Sequence, residues 1–286
     1  MLDYIGVVSI WGEEGTCKST FALTFPPIIR HFDIDVGGYA RAAWRLSEDV
    51  RAGIRSKSYP LDVIQIDKMM GAAVRAGANN TVVDIRFPKR VVGMRELWQR
   101  IIIDFVEACR DPIVQTIIFD SATLMWTICH NSHLQEVQEK QLAQGVSENS
   151  KEFREKLLAV EFGPANDKFR TVVHTARSFK KNVVMVHYPT DEYGAVPDGN
   201  GGIKNDKTGR KVPDGMKEIG KMADLVLNTY IKTENGKSVP KAKILKCGIP
   251  NLGLSFVGME IEANFAAISQ IYEAMSPQVG TTQGGQ

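Results

Sequence analysis

Short apolar runs alternate along the chain with stretches in which apolar residues recur at helical spacing. Runs rich in β-branched residues are typical of buried strands, and they cover residues 4–11, 28–36, 61–66, 81–87, 114–120 and 182–186. Residues 94–109 and 167–181 carry apolar side chains at helical spacing and are predicted helices. This alternation of strands and helices favours a protein of the α/β class.

The C-terminal part of the chain carries the pattern of a β-hairpin. Residues 224–233 and 239–247 are strand-like, and the pair Asn235-Gly236 between them favours a tight two-residue turn. Residues 276–286 are polar and rich in Gly and Gln. We therefore predict one domain over residues 1–275, followed by a disordered polar tail.

Composition and charge narrow the class of protein. The chain has 286 residues, of which 43% are hydrophobic, and this is enough for a sizeable core. Its 35 basic and 33 acidic residues nearly cancel, so any attraction to nucleic acid has to come from local patches. The cysteines are far apart, which favours reduced thiols over a disulfide framework. Without a secretion-signal pattern or a membrane-spanning segment, we expect a cytoplasmic protein with no membrane partner.

A glycine-bounded turn connects the first predicted strand to the first helix. It comprises Gly12, Glu13, Glu14, Gly15, Thr16, Cys17, Lys18 and Ser19, and Thr20 follows in the helix. Backbone N–H groups in such a turn, together with the helix N-terminus, bind phosphate. The spacing predicts that Lys18 reaches the β- and γ-phosphates of a nucleotide and that Ser19 ligates Mg²⁺. The alternative is a glycine-rich turn before an ordinary amphipathic helix.

Several predicted strands end in polar residues. Asp120 closes the strand 114–120, where a carboxylate can hold Mg²⁺ next to a phosphate-binding loop, although it could instead cap the next helix. Asp33 and Asp35 lie at the end of the second strand, the edge at which α/β proteins place ligand-facing groups. His187 ends the strand 182–186 and is either a γ-phosphate sensor or a hydrogen-bonded structural histidine.

Residues 190–215 are dense in Gly, Asp, Asn and Lys and are predicted to form a long loop. The second half of the segment is basic and contains Lys204, Lys207, Arg210 and Lys211. One interpretation is a solvated surface loop. The other is a flexible segment whose clustered cations bind a phosphate backbone.

Taken in chain order, these motifs resemble the RecA-like ATPase core over roughly residues 2–270. The chain is more closely similar to the short phage-encoded RecA-like recombination ATPases that assist single-strand annealing. Lys18, Ser19 and Thr20 match the nucleotide-binding signature, and Asp120-Ser121 matches the Asp-Ser pair at a RecA strand end. The resemblance implies a P-loop NTPase core with a mostly parallel central sheet, flanking helices and a C-terminal β-hairpin.

The resemblance also implies a function. It predicts an ATPase that uses ATP and Mg²⁺, assembles into a homo-oligomeric ring or filament, and acts on single-stranded DNA in recombination. A single-strand DNA-binding protein is a further expected partner, and the host cytoplasm is the expected location. In this comparison His187 takes the place of the γ-phosphate sensor, and residues 190–215 take the place of the second DNA-binding loop.

The remaining site assignments also rest on the resemblance. Ser19 and Asp120 are the expected Mg²⁺ ligands, and Asp35 or Glu161 is the acid that activates water. Lys246 matches a hairpin lysine that completes the site of a neighbouring subunit. Cys17 and Gly248 depart from the family pattern, which has glycine before the P-loop lysine and a second lysine on the hairpin. In the family pattern both positions contact the nucleotide, so we expect slow turnover of ATP.

Two rival functions stay open at this stage. The same site could drive a motor or loader ATPase, for DNA packaging or helicase loading. Alternatively, the protein could be a non-catalytic DNA-binding protein that uses nucleotide only to assemble, and Cys17 is the feature that favours this.

Overall fold

The computed structural model describes residues 3–60, 89–197, 202–249 and 256–275. The predicted strands 61–66 and 81–87 and the predicted tail 276–286 lie outside the described residues. The described strands are β1 (Val7–Gly12), β2 (Ile29–Asp33), β3 (Ile54–Ser58), β4 (Thr116–Asp120), β5 (Asn182–His187), β6 (Pro189–Pro197), β7 (Ile203–Pro213), β8 (Leu225–Glu234), β9 (Lys237–Cys247) and β10 (Glu260–Glu262). The described α-helices are α1 (Lys18–Ala22), α2 (Gly38–Ala43), α3 (Glu48–Ala52), α4 (Met94–Arg110), α5 (Ala122–Ala143), α6 (Phe162–Ser178), α7 (Ile219–Met222) and α8 (Phe265–Met275).

A central sheet organises the fold. Within the described residues it has eight strands in the order β10-β9-β8-β1-β5-β4-β2-β3. The strands from β8 to β3 in this order are parallel, and β9 and β10 add to the β8 edge in antiparallel fashion. Strand β5 therefore lies between the strand that precedes the phosphate-binding turn and the strand that ends in Asp120. The parallel strands bring their carboxyl ends to one edge of the sheet.

Both faces of the sheet are covered by helices. On one face, Phe105 of α4, Met125 of α5 and Phe169 of α6 pack in a single apolar cluster with sheet residues such as Phe119. On the other face, Phe21 of α1 and residues of α8 pack against β1, β5 and β8. Because both faces are buried, the central strands are apolar at consecutive positions, as β1 and β4 are.

The C-terminal hairpin forms where the sequence predicts it. Strands β8 and β9 pair from Leu225 opposite Cys247 to Glu234 opposite Lys237. Asn235 and Gly236 both have positive φ, at 50° and 74°, which is the backbone that a tight hairpin turn requires. The fold prediction is thus confirmed: an α/β protein with a mostly parallel central sheet, flanking helices and a C-terminal hairpin. Within the described residues, no helix is both long enough and apolar enough to span a membrane.

Candidate functional site

The phosphate-binding turn lies between β1 and α1 and is fixed to β8. A side chain at Gly12 would place its Cβ only 2.3 Å from the Thr229 carbonyl oxygen, so only glycine fits there. The Thr16 hydroxyl bonds the Glu13 carbonyl oxygen at 2.7 Å and the Thr229 hydroxyl at 2.8 Å. These contacts hold the backbone of the turn in place before any ligand arrives.

Lys18 is the buried cation of this turn. Its Nζ donates to the carbonyl oxygens of Gly12 at 2.8 Å and Glu13 at 2.7 Å. Burial lowers the pKa of Lys18, while the nearby carboxylates of Asp120, Glu13 and Glu14 act in the opposite direction. The loop thus holds its ammonium group with its own carbonyl groups, within reach of an incoming phosphate.

Asp120 ends β4 and is 4% exposed. Its Oδ2 has no hydrogen-bond partner among the described residues, and the buried His31 Nε2 lies 3.7 Å away. The adjacent Ser121 caps helix α5 by accepting a hydrogen bond from the Leu124 N–H, so the capping alternative for Asp120 is wrong. A buried carboxylate oxygen without a partner fits a cation ligand, and oxygen ligands are what Mg²⁺ prefers.

One pocket brings most of the predicted site residues together. Its volume is about 890 Å³, and its lining includes Lys18, Ser19, Asp35 and Asp120. Every turn residue from Glu13 to Thr20 lines it as well. The two predicted Mg²⁺ ligands, Ser19 and Asp120, thus line the same pocket, which is large enough for a nucleotide.

The two candidate water-activating acids occupy different places. Asp35 lines the pocket and is bonded to Arg41. Glu161 does not line it, and its Oε2 accepts a hydrogen bond of 2.6 Å from the Leu158 N–H. Asp33, the other acid at the end of the second strand, accepts hydrogen bonds from the Gly37 and Gly38 N–H groups and so caps the start of α2.

His187 ends β5 at the same edge of the sheet and is 1% exposed. Its Nδ1 lies 2.9 Å from the Asp214 carbonyl oxygen, and its Nε2 has no hydrogen-bond partner among the described residues. Burial lowers the pKa of His187 to about 4, so the ring is neutral at physiological pH. His187 itself does not line the pocket, whereas its neighbours Val186 and Tyr188 do.

The prediction of a loop over residues 190–215 is wrong. Strands β6 and β7 pair from Pro189 opposite Pro213 to Pro197 opposite Ile203, and we call this two-stranded element the ribbon. The pairing of β6 with β7 satisfies backbone N–H and C=O groups. The segment has little apolar content, so the sequence did not mark it as strand. The predicted DNA-binding lysines make ion pairs within the ribbon: Lys204 with Asp206, and Lys207 and Lys211 with Asp191. Arg210 has no ion-pair partner among the described residues.

The base of the ribbon is attached to the nucleotide edge of the sheet. Thr123, three residues after Asp120, donates to the Asp214 carbonyl oxygen at 2.9 Å and accepts from the Tyr188 N–H at 3.1 Å. Tyr188 and Asp214 lie just before β6 and just after β7. Thr123 was not among the predicted site residues, and the available signal was its position about one helical turn after a strand-end acid.

Lys246 lies on β9 and is bonded within its own chain. Its Nζ donates to the carbonyl oxygens of Gly220, Lys221 and Ala223, at 3.1, 2.8 and 2.6 Å. A side chain at Gly248 would bring its Cβ to 3.2 Å from the Asp224 carbonyl oxygen, which is a tight contact. Lys246 stabilises the C-terminal end of α7 in this arrangement.

Two further cations, Arg41 and Arg45, line the pocket. Neither was among the predicted site residues. Arg41 lies in α2 and Arg45 in the turn that follows it, so no helical spacing in the sequence marked the two together.

The chain resembles known proteins in structure and in sequence. The flagellar accessory protein FlaH from Methanocaldococcus jannaschii is similar over 90% of this chain and 84% of that chain, at 13% identity and a TM-score of 0.39. No curated protein sequence matches the chain. The family model described as the AAA domain matches residues 7–249, which is most of the sequence. The chain therefore belongs to the AAA domain family.

Proposed function

We propose that this protein hydrolyses ATP in the presence of Mg²⁺ and couples the nucleotide to single-stranded DNA. The observation that supports hydrolysis best is that Lys18 and Asp120 line the same pocket, and that Asp120 Oδ2 has no hydrogen-bond partner among the described residues. The first offers a cation to the phosphates, and the second offers a ligand to the metal ion. A site that only binds phosphate needs the first feature alone.

The chain's own residues divide the chemistry as follows. Backbone N–H groups of residues 13–19 and the Lys18 ammonium bind and orient the phosphates. Ser19 and Asp120 would hold Mg²⁺, which supplies charge neutralisation when bound. Asp35 accepts the proton of the attacking water, and we prefer it to Glu161 because only Asp35 lines the pocket.

The link to single-stranded DNA rests on the ribbon. Its base is bonded to Thr123 and His187, close to Asp120, so a change at the nucleotide can reach it through direct contacts. Its cations are the residues that we propose bind the phosphate backbone. The proposal extends to a role in phage recombination or annealing, in a homo-oligomer that works with a single-strand DNA-binding protein.

Phosphate release, measured with and without single-stranded DNA, tests this function. We expect the wild-type protein to release phosphate and to do so faster with DNA. Asp35→Asn is expected to lower the turnover rate by about 10²- to 10⁴-fold, since it removes a general base. Glu161→Gln is the matched control and should keep wild-type turnover.

The outcomes separate the rival functions. DNA binding with no phosphate release would contradict hydrolysis and favour a nucleotide-dependent binding protein. Turnover that depends on duplex unwinding or packaging would favour the motor alternative. Loss of activity in Glu161→Gln but not in Asp35→Asn would contradict the assignment of the base.

A further inference from the structure

A second cation reaches the phosphate-binding turn from the turn that follows α2. Arg45 follows the C-terminal end of α2, lines the pocket, and donates a hydrogen bond to the Cys17 thiol. The guanidinium group also lies 5.0 Å from the centre of the Trp44 ring. Cys17 directly precedes Lys18, so Arg45 reaches the part of the turn where the phosphates bind.

Neither contact balances the charge of Arg45. A thiol is a weak hydrogen-bond acceptor, and an aromatic face at an exposed site stabilises a cation only modestly. No carboxylate forms an ion pair with Arg45 among the described residues, whereas Arg41, on the same side of the pocket, is paired with Asp35. The guanidinium group is therefore an exposed cation of the pocket lining that has no ion-pair partner among the described residues.

The turn itself needs a further cation to hold a phosphate chain. Glu13 and Glu14 both line the pocket, and their negative charges oppose an incoming polyanion. Lys18 is the cation within the turn, and its ammonium group is already bonded to two carbonyl oxygens. A planar guanidinium group can offer two parallel hydrogen bonds to one phosphate.

We propose that Arg45 is a phosphate-binding residue of the nucleotide site, supplied by the same chain, and that the Cys17 thiol holds it in place while no nucleotide is bound. This inference rests on the proposed nucleotide function and deepens it. It also gives the departure at Cys17 a role, because glycine would leave the guanidinium group without its acceptor. Arg45 would also supply a positive charge to the phosphates in place of the second hairpin lysine of the family pattern, where this chain has Gly248.

Binding measurements on the full-length protein test the inference. The probes are a non-hydrolysable ATP analogue with Mg²⁺ and inorganic tripolyphosphate, which contains the phosphate chain without the nucleoside. Arg45→Ala is expected to weaken the affinity for both probes by about 10- to 100-fold, the effect of losing a charged hydrogen bond. Arg45→Lys should recover part of the loss, since it keeps the charge but not the planar fork.

Arg51→Ala is the matched control, because Arg51 is an exposed arginine on α3 that does not line the pocket. It should bind both probes as the wild type does. Thermal unfolding of each variant checks the fold, and Arg45→Gln gives the same readout if the alanine variant unfolds.

The outcomes keep the two claims apart. If the wild-type protein binds neither probe, the proposed function is wrong, and the role of Arg45 is wrong with it. If the wild type binds both probes and folded Arg45→Ala binds them equally well, only the role of Arg45 is wrong. Tighter binding of tripolyphosphate by Arg45→Ala would also overturn it.

Discussion

The residue that departs from the phosphate-loop pattern has an unusual backbone. Cys17 has a φ of 65°, in the left-handed region that favours glycine, and this explains why glycine is the usual residue before the lysine. A non-glycine residue there costs about 1 to 2 kcal/mol. The side chain that causes this cost also contacts Arg45, and Cys17 lines the pocket that we propose binds the nucleotide.

We predict that nucleotide protects Cys17 from alkylation. Cys109 and Cys129 are buried, and burial raises their pKa values to about 11 and about 12, so these thiols stay unreactive at neutral pH. In a Cys247→Ser background, N-ethylmaleimide should modify Cys17. Addition of ATP and Mg²⁺ should slow the reaction in proportion to the fraction of protein that has bound nucleotide. An unchanged labelling rate at saturating ATP would place the nucleotide away from this turn.

At the scale of elements, the sequence predicted those parts whose signal is local. The glycine-bounded turn, the strand that ends in Asp120 and the Asn235-Gly236 hairpin are each encoded by a short, continuous stretch of sequence. The ribbon was missed because its order comes from pairing between two polar strands, whose low apolar content does not mark them as strands in the sequence. Arg41 and Arg45 were missed because it is the tertiary packing beside the phosphate-binding turn, and not a local pattern, that brings them to the pocket.

The ribbon cations are expected to bind single-stranded DNA. Replacing Lys204, Lys207, Arg210 and Lys211 by Ala should weaken binding at all sequences. The dependence of the logarithm of the binding constant on the logarithm of salt concentration should flatten by about 0.7 per lost phosphate contact. Asp191→Asn should do the reverse, because it frees Lys207 and Lys211 from their carboxylate.

Four exposed cations elsewhere in the chain make a matched control for the ribbon variant: Arg100, Arg110, Lys140 and Lys151. Their joint replacement by Ala should leave the salt dependence unchanged. A salt dependence that responds to the control set and not to the ribbon set would move the DNA site away from the ribbon.

His187 is expected to make stability depend on pH. Its pKa is lowered by burial from an ordinary value of 6.5 to about 4, so between these values the unfolded chain binds a proton that the folded chain excludes. The free energy of unfolding should therefore fall by up to about 1.4 kcal/mol for each pH unit below 6.5. His187→Gln should flatten this slope in urea denaturation at pH 4.5 to 7. The same slope in both proteins would show that the ring is protonated in the folded state.

At the scale of the whole molecule, the question is whether the site is completed by a second subunit. Lys246 now holds three carbonyl oxygens of its own chain, so a role at a neighbour's nucleotide requires that it release them. Strand β9 lies near one edge of the sheet, and β8 separates it from β1, the strand that leads into the phosphate-binding turn. Lys246 is therefore on a different strand from the one that carries the turn of its own chain.

We predict that Lys246 acts across a subunit interface. Lys246→Ala should bind ATP but lose DNA-stimulated hydrolysis, and mixing it with Lys18→Ala should restore some turnover, because mixed assemblies contain interfaces with both lysines intact. Lys243→Ala, at an exposed lysine on the same strand, is the control and should keep its activity. If the two inactive variants co-assemble and stay inactive, Lys246 has only the structural role at α7.

The central claim is that the turn at residues 12–19 binds the phosphates of ATP through Lys18, and calorimetric titration with ATP and Mg²⁺ tests it most directly. Lys18→Ala should lose about 1.5 to 3 kcal/mol of binding free energy, since it removes a charged donor from the phosphates. Lys151→Ala, at an exposed lysine outside the pocket, should titrate like the wild type. An ATP affinity that is the same in the wild type and in folded Lys18→Ala would contradict the account.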